Sequence, residues 1–202
     1  MRSTSLSSVL AVIAAAVFAV VGLTLALPVA AQAAPPDAAP LDDAFIQKQF
    51  GSTCKAEPGF TQMVTDLDGD GIQDIVIVAR CKNPIADQAE NNFKVIDPYF
   101  SFYGYGDPRI SSQFSTDDPA RRGLAILIIH GSGPEAWRAD EPKAKFAVIN
   151  LPFKDVHVKK LGKGKKTQPA IFADETGADE VTSVIYWDGK KYKYQPMGSS
   201  ME

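Results

Sequence analysis

Histidine and cysteine are scarce in this chain, and charge imbalance is nearly absent. Two residues of each type occur in 202 positions. Neither His130 nor His157 is a sequence neighbour of Cys54 or Cys81, so nothing marks a thiol–imidazole catalytic pair. Lys and Arg total 21 against 24 Asp and Glu, a formal net charge of −3. So weak a field gives no global reason to bind nucleic acid or an anionic membrane. No G-x-S-x-G nucleophile elbow occurs, and the helix–strand alternation of a doubly wound sheet is missing. Lys159–Lys166 is no phosphate loop either, because Lys166 stands where Ser or Thr is required. No internal repeat is legible. What remains is 45% hydrophobic, 22% charged and 9% aromatic, an ordinary globular composition that excludes disorder, collagen and coiled coil.

The N-terminus reads as an address. Arg2 is the only charge before Asp37, Val9 to Leu27 is almost wholly apolar, and Pro28 breaks the run. Ala31-Gln32-Ala33 then supplies small residues at −3 and −1 of a cleavage site. Those parts in that order predict a secretory signal peptide over 1–33, the alternative being a retained anchor. Residues 34–40, APPDAAP, read as a Pro/Ala linker. A single β-rich domain is expected over 41–202, periplasmic or secreted, with no membrane span after cleavage. In an oxidising compartment Cys54 and Cys81 are expected to pair.

Leu41–Phe50 reads as a short helix capped by Asp42 and stopped by Gly51. Strand periodicity follows. Phe60–Thr65, Ile75–Arg80, Leu124–His130, Phe146–Asn150, Val156–Leu161, Ala170–Ala173, Val181–Trp187 and Lys190–Tyr194 are the candidates. The expectation is mainly β with minor α, an antiparallel sheet or sandwich of about eight strands. Leu124–His130 is continuously apolar, as a central strand buried on both faces would be. Asp188-Gly189 predicts a two-residue type I′ hairpin that sets Ile185 opposite Tyr192 and Ser183 opposite Tyr194. The aromatic-rich stretch 91–115 reads as irregular chain sealing one side of the sheet.

The most informative stretch is Asp66-Leu67-Asp68-Gly69-Asp70-Gly71-Ile72-Gln73-Asp74. Its four carboxylates stand at positions 1, 3, 5 and 9. Unpaired, they would repel one another; a hard divalent cation reverses that sign. Asp66, Asp68, Asp70 and Asp74 can offer side-chain oxygens to calcium, and Ile72 its carbonyl. An EF-hand is excluded, since Ile77 stands where the bidentate Glu belongs and the flanks are β-branched. The motif DLDGDGIQDIVIV, within Val64–Arg80, resembles the calcium loop of FG-GAP and VCBS-type repeats found in integrin-like propellers. That resemblance implies a calcium ion at a strand–loop–strand turn. It implies no activity, and those propellers carry several such loops where this chain has one. Asp174–Glu180 lacks the carboxylates for a second and reads as an acidic turn.

Two further stretches carry weaker expectations. Leu127–Gly133 with Trp137 is similar to the strand and oxyanion loop of an α/β-hydrolase, which makes a site near His130 and Ser132, or one using His157, a rival reading. Without a nucleophile elbow, His130 is expected to end a central strand with no carboxylate orienting its imidazole. Lys159, Lys160, Lys163, Lys165 and Lys166 read as a solvated strand end, or as a patch for an extracellular polyanion. The function expected is a non-enzymatic, calcium-binding, exported domain that binds or scaffolds. An envelope-assembly role with a protein partner is the other alternative.

Overall fold

Asp42 starts the fold by accepting a hydrogen bond from the Phe45 amide at 2.8 Å, which opens helix α1 at Asp43–Phe50. Gly51, at φ 102°, ends the helix where a side chain would be strained. The computed structural model describes residues 41–98, 118–163, 166–176 and 182–197, all within one unit spanning Asp37–Glu202. The signal segment, the linker, residues 99–115 of the aromatic stretch, Lys165 and most of the acidic turn lie outside the described residues.

The chain is mainly β with minor α. After α1 come β1 (Lys55–Ala56), β2 (Met63–Thr65), β3 (Asp74–Arg80), α2 (Pro84–Asp87), β4 (Lys94–Ile96), β5 (Leu124–His130) and β6 (Ala144–Val148). Then follow β7 (Phe153–Lys163), β8 (Lys166–Glu175), β9 (Thr182–Trp187) and β10 (Tyr192–Met197). Ten strands are described where about eight are expected. The additional ones, β1 and β4, hold two and three residues, too few to show a period.

The strands form two sheets. The first runs β1-β3-β5-β6-β4, with β2 also on β3, and only its β4–β6 pair is parallel. The second is an antiparallel meander, β10-β9-β8-β7. One face of the first sheet, with Val76, Val78, Ile126, Ile128, Phe146 and Val148, packs on Val156, Ile171, Ala173, Ile185 and Tyr192 of the second. The opposite face, with Ile75, Ile77, Leu127 and Ile129, is covered by Ile46 and Phe50 of α1, by Phe93 and by Trp137. This double burial explains the continuous apolar run of β5, all seven of whose residues are buried. Cys54 and Cys81 form a disulfide across the β1 edge of this sheet.

Two sequence expectations need correction here. The C-terminal hairpin pairs Trp187 with Tyr192 and Ile185 with Tyr194, two residues away from the predicted register. The loop is four residues long. The Asp188 amide donates to the Lys191 carbonyl, and the Asp188 carboxylate accepts from the Lys190 and Lys191 amides, each at 2.9 Å. Asp188 thus caps a wider turn, in which Gly189 alone carries positive φ. The second correction concerns β8, which is ten residues rather than four. Lys163 pairs with Lys166, so the lysine-rich stretch forms the far end of a long hairpin. Pro169 is tolerated because the β8–β9 ladder covers only Ile171–Asp174 and leaves it outside.

Candidate metal centre

The acidic loop joins β2 to β3, whose register closes with Thr65 opposite Asp74. Both flanks are therefore strands. Gly69 and Gly71, at φ 79° and 86°, let the chain reverse inside the loop. Asp66 organises the turn: Oδ1 accepts from the Gly69 amide at 2.7 Å and Oδ2 from the Gly71 amide at 2.9 Å. Asp70 accepts from the Ile72 amide at 2.8 Å. Oxygens of Asp66, Asp68 and Asp74 all lie within 4.8 Å of one another. The structure thus brings together three of the four predicted carboxylates as a group able to hold a metal ion. Asp66 Oδ1 accepts from two amides, those of Gly69 and Asp70, but Asp66 Oδ2 and both oxygens of Asp74 take one amide each, so the set retains acceptor capacity. An all-oxygen donor set of this kind suits a hard cation.

Asp74 is the most deeply placed of the group, with 1% of its surface exposed. Oδ2 accepts from the Leu67 amide at 2.7 Å and Oδ1 from the Gly131 amide at 2.8 Å. Burial pushes its pKa up to about 6, the two amides oppose that shift, and the charges of Asp68 and Asp66 add to it. Gly131 has to be glycine, because a Cβ there would come within 2.4 Å of the Gln73 carbonyl oxygen. The amide that an oxyanion loop would present to a substrate is here committed to Asp74.

His130 ends β5 on the side facing the second sheet and is 1% exposed. Its Nε2 lies 2.7 Å from the Tyr192 hydroxyl, and its Nδ1 lies 3.2 Å from Asp68 Oδ2. The sequence expectation that no carboxylate orients this imidazole is therefore wrong. Asp68 reaches it because the loop folds back over the end of β5, a proximity across 62 residues that no local spacing announces. Burial lowers the His130 pKa against the pull of Asp68. The neutral ring then donates from Nδ1 to Asp68 and accepts at Nε2 from Tyr192. Phe146, Trp187 and Tyr192 pack around it, with ring centroids 5.0–5.6 Å away. Ser132 donates its hydroxyl to the Glu141 carbonyl at 2.7 Å.

Lys143 escaped the sequence reading altogether. Its Nζ sits 2.7 Å from Asp68 Oδ2 and 2.6 Å from Asp70 Oδ2. These ion pairs raise the lysine pKa, and the same lysine holds the Asp70 carboxyl below the usual carboxylate range. Beside the loop opens a cleft of about 680 Å³, lined by Thr65–Gly69, Thr167–Pro169 and Tyr186–Gly189.

Elsewhere, Asp155, His157 and Asp174 bring ligand atoms within 4.8 Å of one another on β7 and β8. There the His157 ring stacks at 5° on Phe172. Lys159 and Lys160 are exposed on β7. Among the described residues no helix is long and apolar enough to cross a membrane. No family model, no curated protein and no solved structure matches this chain.

Proposed function

We propose that this protein is an exported calcium-binding domain whose role outside the cytoplasm is binding or scaffolding rather than catalysis. The observation that carries the reading is the convergence of Asp66, Asp68 and Asp74 within a D-x-D-G-D-G-x-x-D loop held between two strands. Calcium takes six to eight oxygens in a flexible cage, which glycine-rich backbone with alternating carboxylates can supply. Asp70 and the Ile72 carbonyl would complete the set, as in the FG-GAP-type loop that the motif resembles. The apolar leader and the Cys54–Cys81 disulfide support export.

The cleft beside the loop supplies a binding surface, with Trp187 and Tyr186 next to the carboxylates. An envelope protein or an extracellular polyanion met by Lys159 and Lys160 is the class of partner proposed. The geometry gives the hydrolase reading no comparable support. Both imidazole nitrogens of His130 are engaged inside the protein, whereas a general base must reach its substrate.

Calorimetric titration of the purified domain with calcium, with magnesium as comparison, tests the proposal. Saturable calcium binding that Asp68→Ala abolishes is expected. Absence of binding in the wild type would overturn it.

A further inference from the structure

We propose that Lys143 is the centre's own counter-ion, a tethered ammonium that a divalent cation must displace from Asp68 in order to bind. This inference rests on the metal reading above and concerns the regulation of that same site.

The Lys143 ammonium meets two of the four loop carboxylates. It bridges Asp68 Oδ2 and Asp70 Oδ2, and Asp68 Oδ2 is also the oxygen that faces His130. The Asp68 side chain is 2% exposed, so a competing cation cannot approach it freely from solvent. Nor is the lysine placed by its side chain alone. Its amide donates to the His130 carbonyl at 3.0 Å, which fixes its backbone at the end of the strand beneath the loop. Neighbouring cations are directed elsewhere: Lys145 donates to the Gln49 carbonyl at 2.8 Å and Lys48 pairs with Asp140 at 2.6 Å.

Two opposite consequences follow. Without an ion, Lys143 offsets part of the mutual repulsion of the carboxylates and keeps the loop folded for binding. When an ion arrives, its charge repels the ammonium across a few ångströms, and the two contend for the Asp68 carboxylate. The lysine can yield, because its side chain is 47% exposed and its long stem can carry the ammonium out to water. Occupancy then exchanges one cation for another, and the affinity of the loop is held below what its carboxylates alone would give.

Titration of wild type, Lys143→Met, Lys143→Gln and Lys143→Arg with calcium chloride tests this, with melting curves recorded in chelator and in excess calcium. Lys143→Met and Lys143→Gln should each bind calcium about tenfold tighter than wild type. Both should melt below wild type in chelator, while Lys143→Arg stays close to wild type in both measurements. Two neutral variants guard against a defect peculiar to either side chain. Calcium binding that is equal or weaker in Lys143→Met and Lys143→Gln would overturn the inference and leave the metal reading standing. No binding in wild type or in any variant would overturn the metal reading, and this inference with it.

Discussion

The two sheets meet the same solvent on very different terms. In the first, the central strand β5 is buried along its whole length, with the second sheet on one side and α1 with Trp137 on the other. In the second, β7 buries Phe153 and Val156 inward and turns Lys154, Asp155, Lys159 and Lys160 to solvent. The first sheet is therefore fixed by packing on both faces, and the second by one face and its hairpin ladders. The candidate metal centre stands where the two join. Its carboxylates hang from the loop between β2 and β3, while His130 links Asp68 to Tyr192 of β10. Rigidity comes from one partner and access from the other, since β8, β9 and the turn after them line the open side of the cleft.

Substitutions can grade this contrast. The largest loss is expected from Phe50→Ala, which opens a cavity under the back face of the first sheet. Phe50 is 0% exposed, and about 3–5 kcal/mol should vanish from the denaturant-derived stability. Removing the disulfide with Cys54→Ala and Cys81→Ala together should cost about 3–4 kcal/mol by the chain-entropy model. Mass spectrometry of non-reduced peptides should show the 54–81 pair intact in the natural protein. Chelation comes next: at calcium a hundredfold above its dissociation constant, linkage predicts about 2.7 kcal/mol. The melting curve should drop accordingly, and Asp68→Ala should be insensitive to chelator. Tyr192→Phe, which leaves His130 Nε2 without its partner, should cost about 1–3 kcal/mol. The smallest effect is expected at the outward face of the second sheet, where Lys159→Ala should stay within about 0.5 kcal/mol. A loss there as large as at Phe50 would erase the distinction between the sheets.

Legibility in the sequence followed local pattern rather than the division into sheets. β5 was readable to the residue, because a strand covered on both faces leaves a run without polar interruption. The cap at Asp42, the stop at Gly51 and the strand–loop–strand context of the acidic loop were equally local, and equally visible. β1 and β4 of the first sheet left no period to read, and in the second sheet the length of β8 and the hairpin register were misread. Asp188-Gly189 signals a turn, but the choice between two and four residues depends on which pair closes the ladder. The shift of two residues kept every side chain on its predicted face. Ser183 even donates to the Tyr194 hydroxyl at 3.0 Å, although the two are not paired in the ladder. In the candidate centre the carboxylates could be read from their spacing. Lys143 and the bond from His130 to Tyr192 could not, because they join residues separated by more than sixty positions. Charge complementarity of that kind is created by the fold and leaves no period behind.

The disulfide has a meaning for the loop beyond stability. Cys54 and Cys81 enclose the entire acidic segment, residues 66–74, so the loop lies inside a covalent ring. A single protease cut within it leaves both new ends attached to the body of the protein, and no fragment departs.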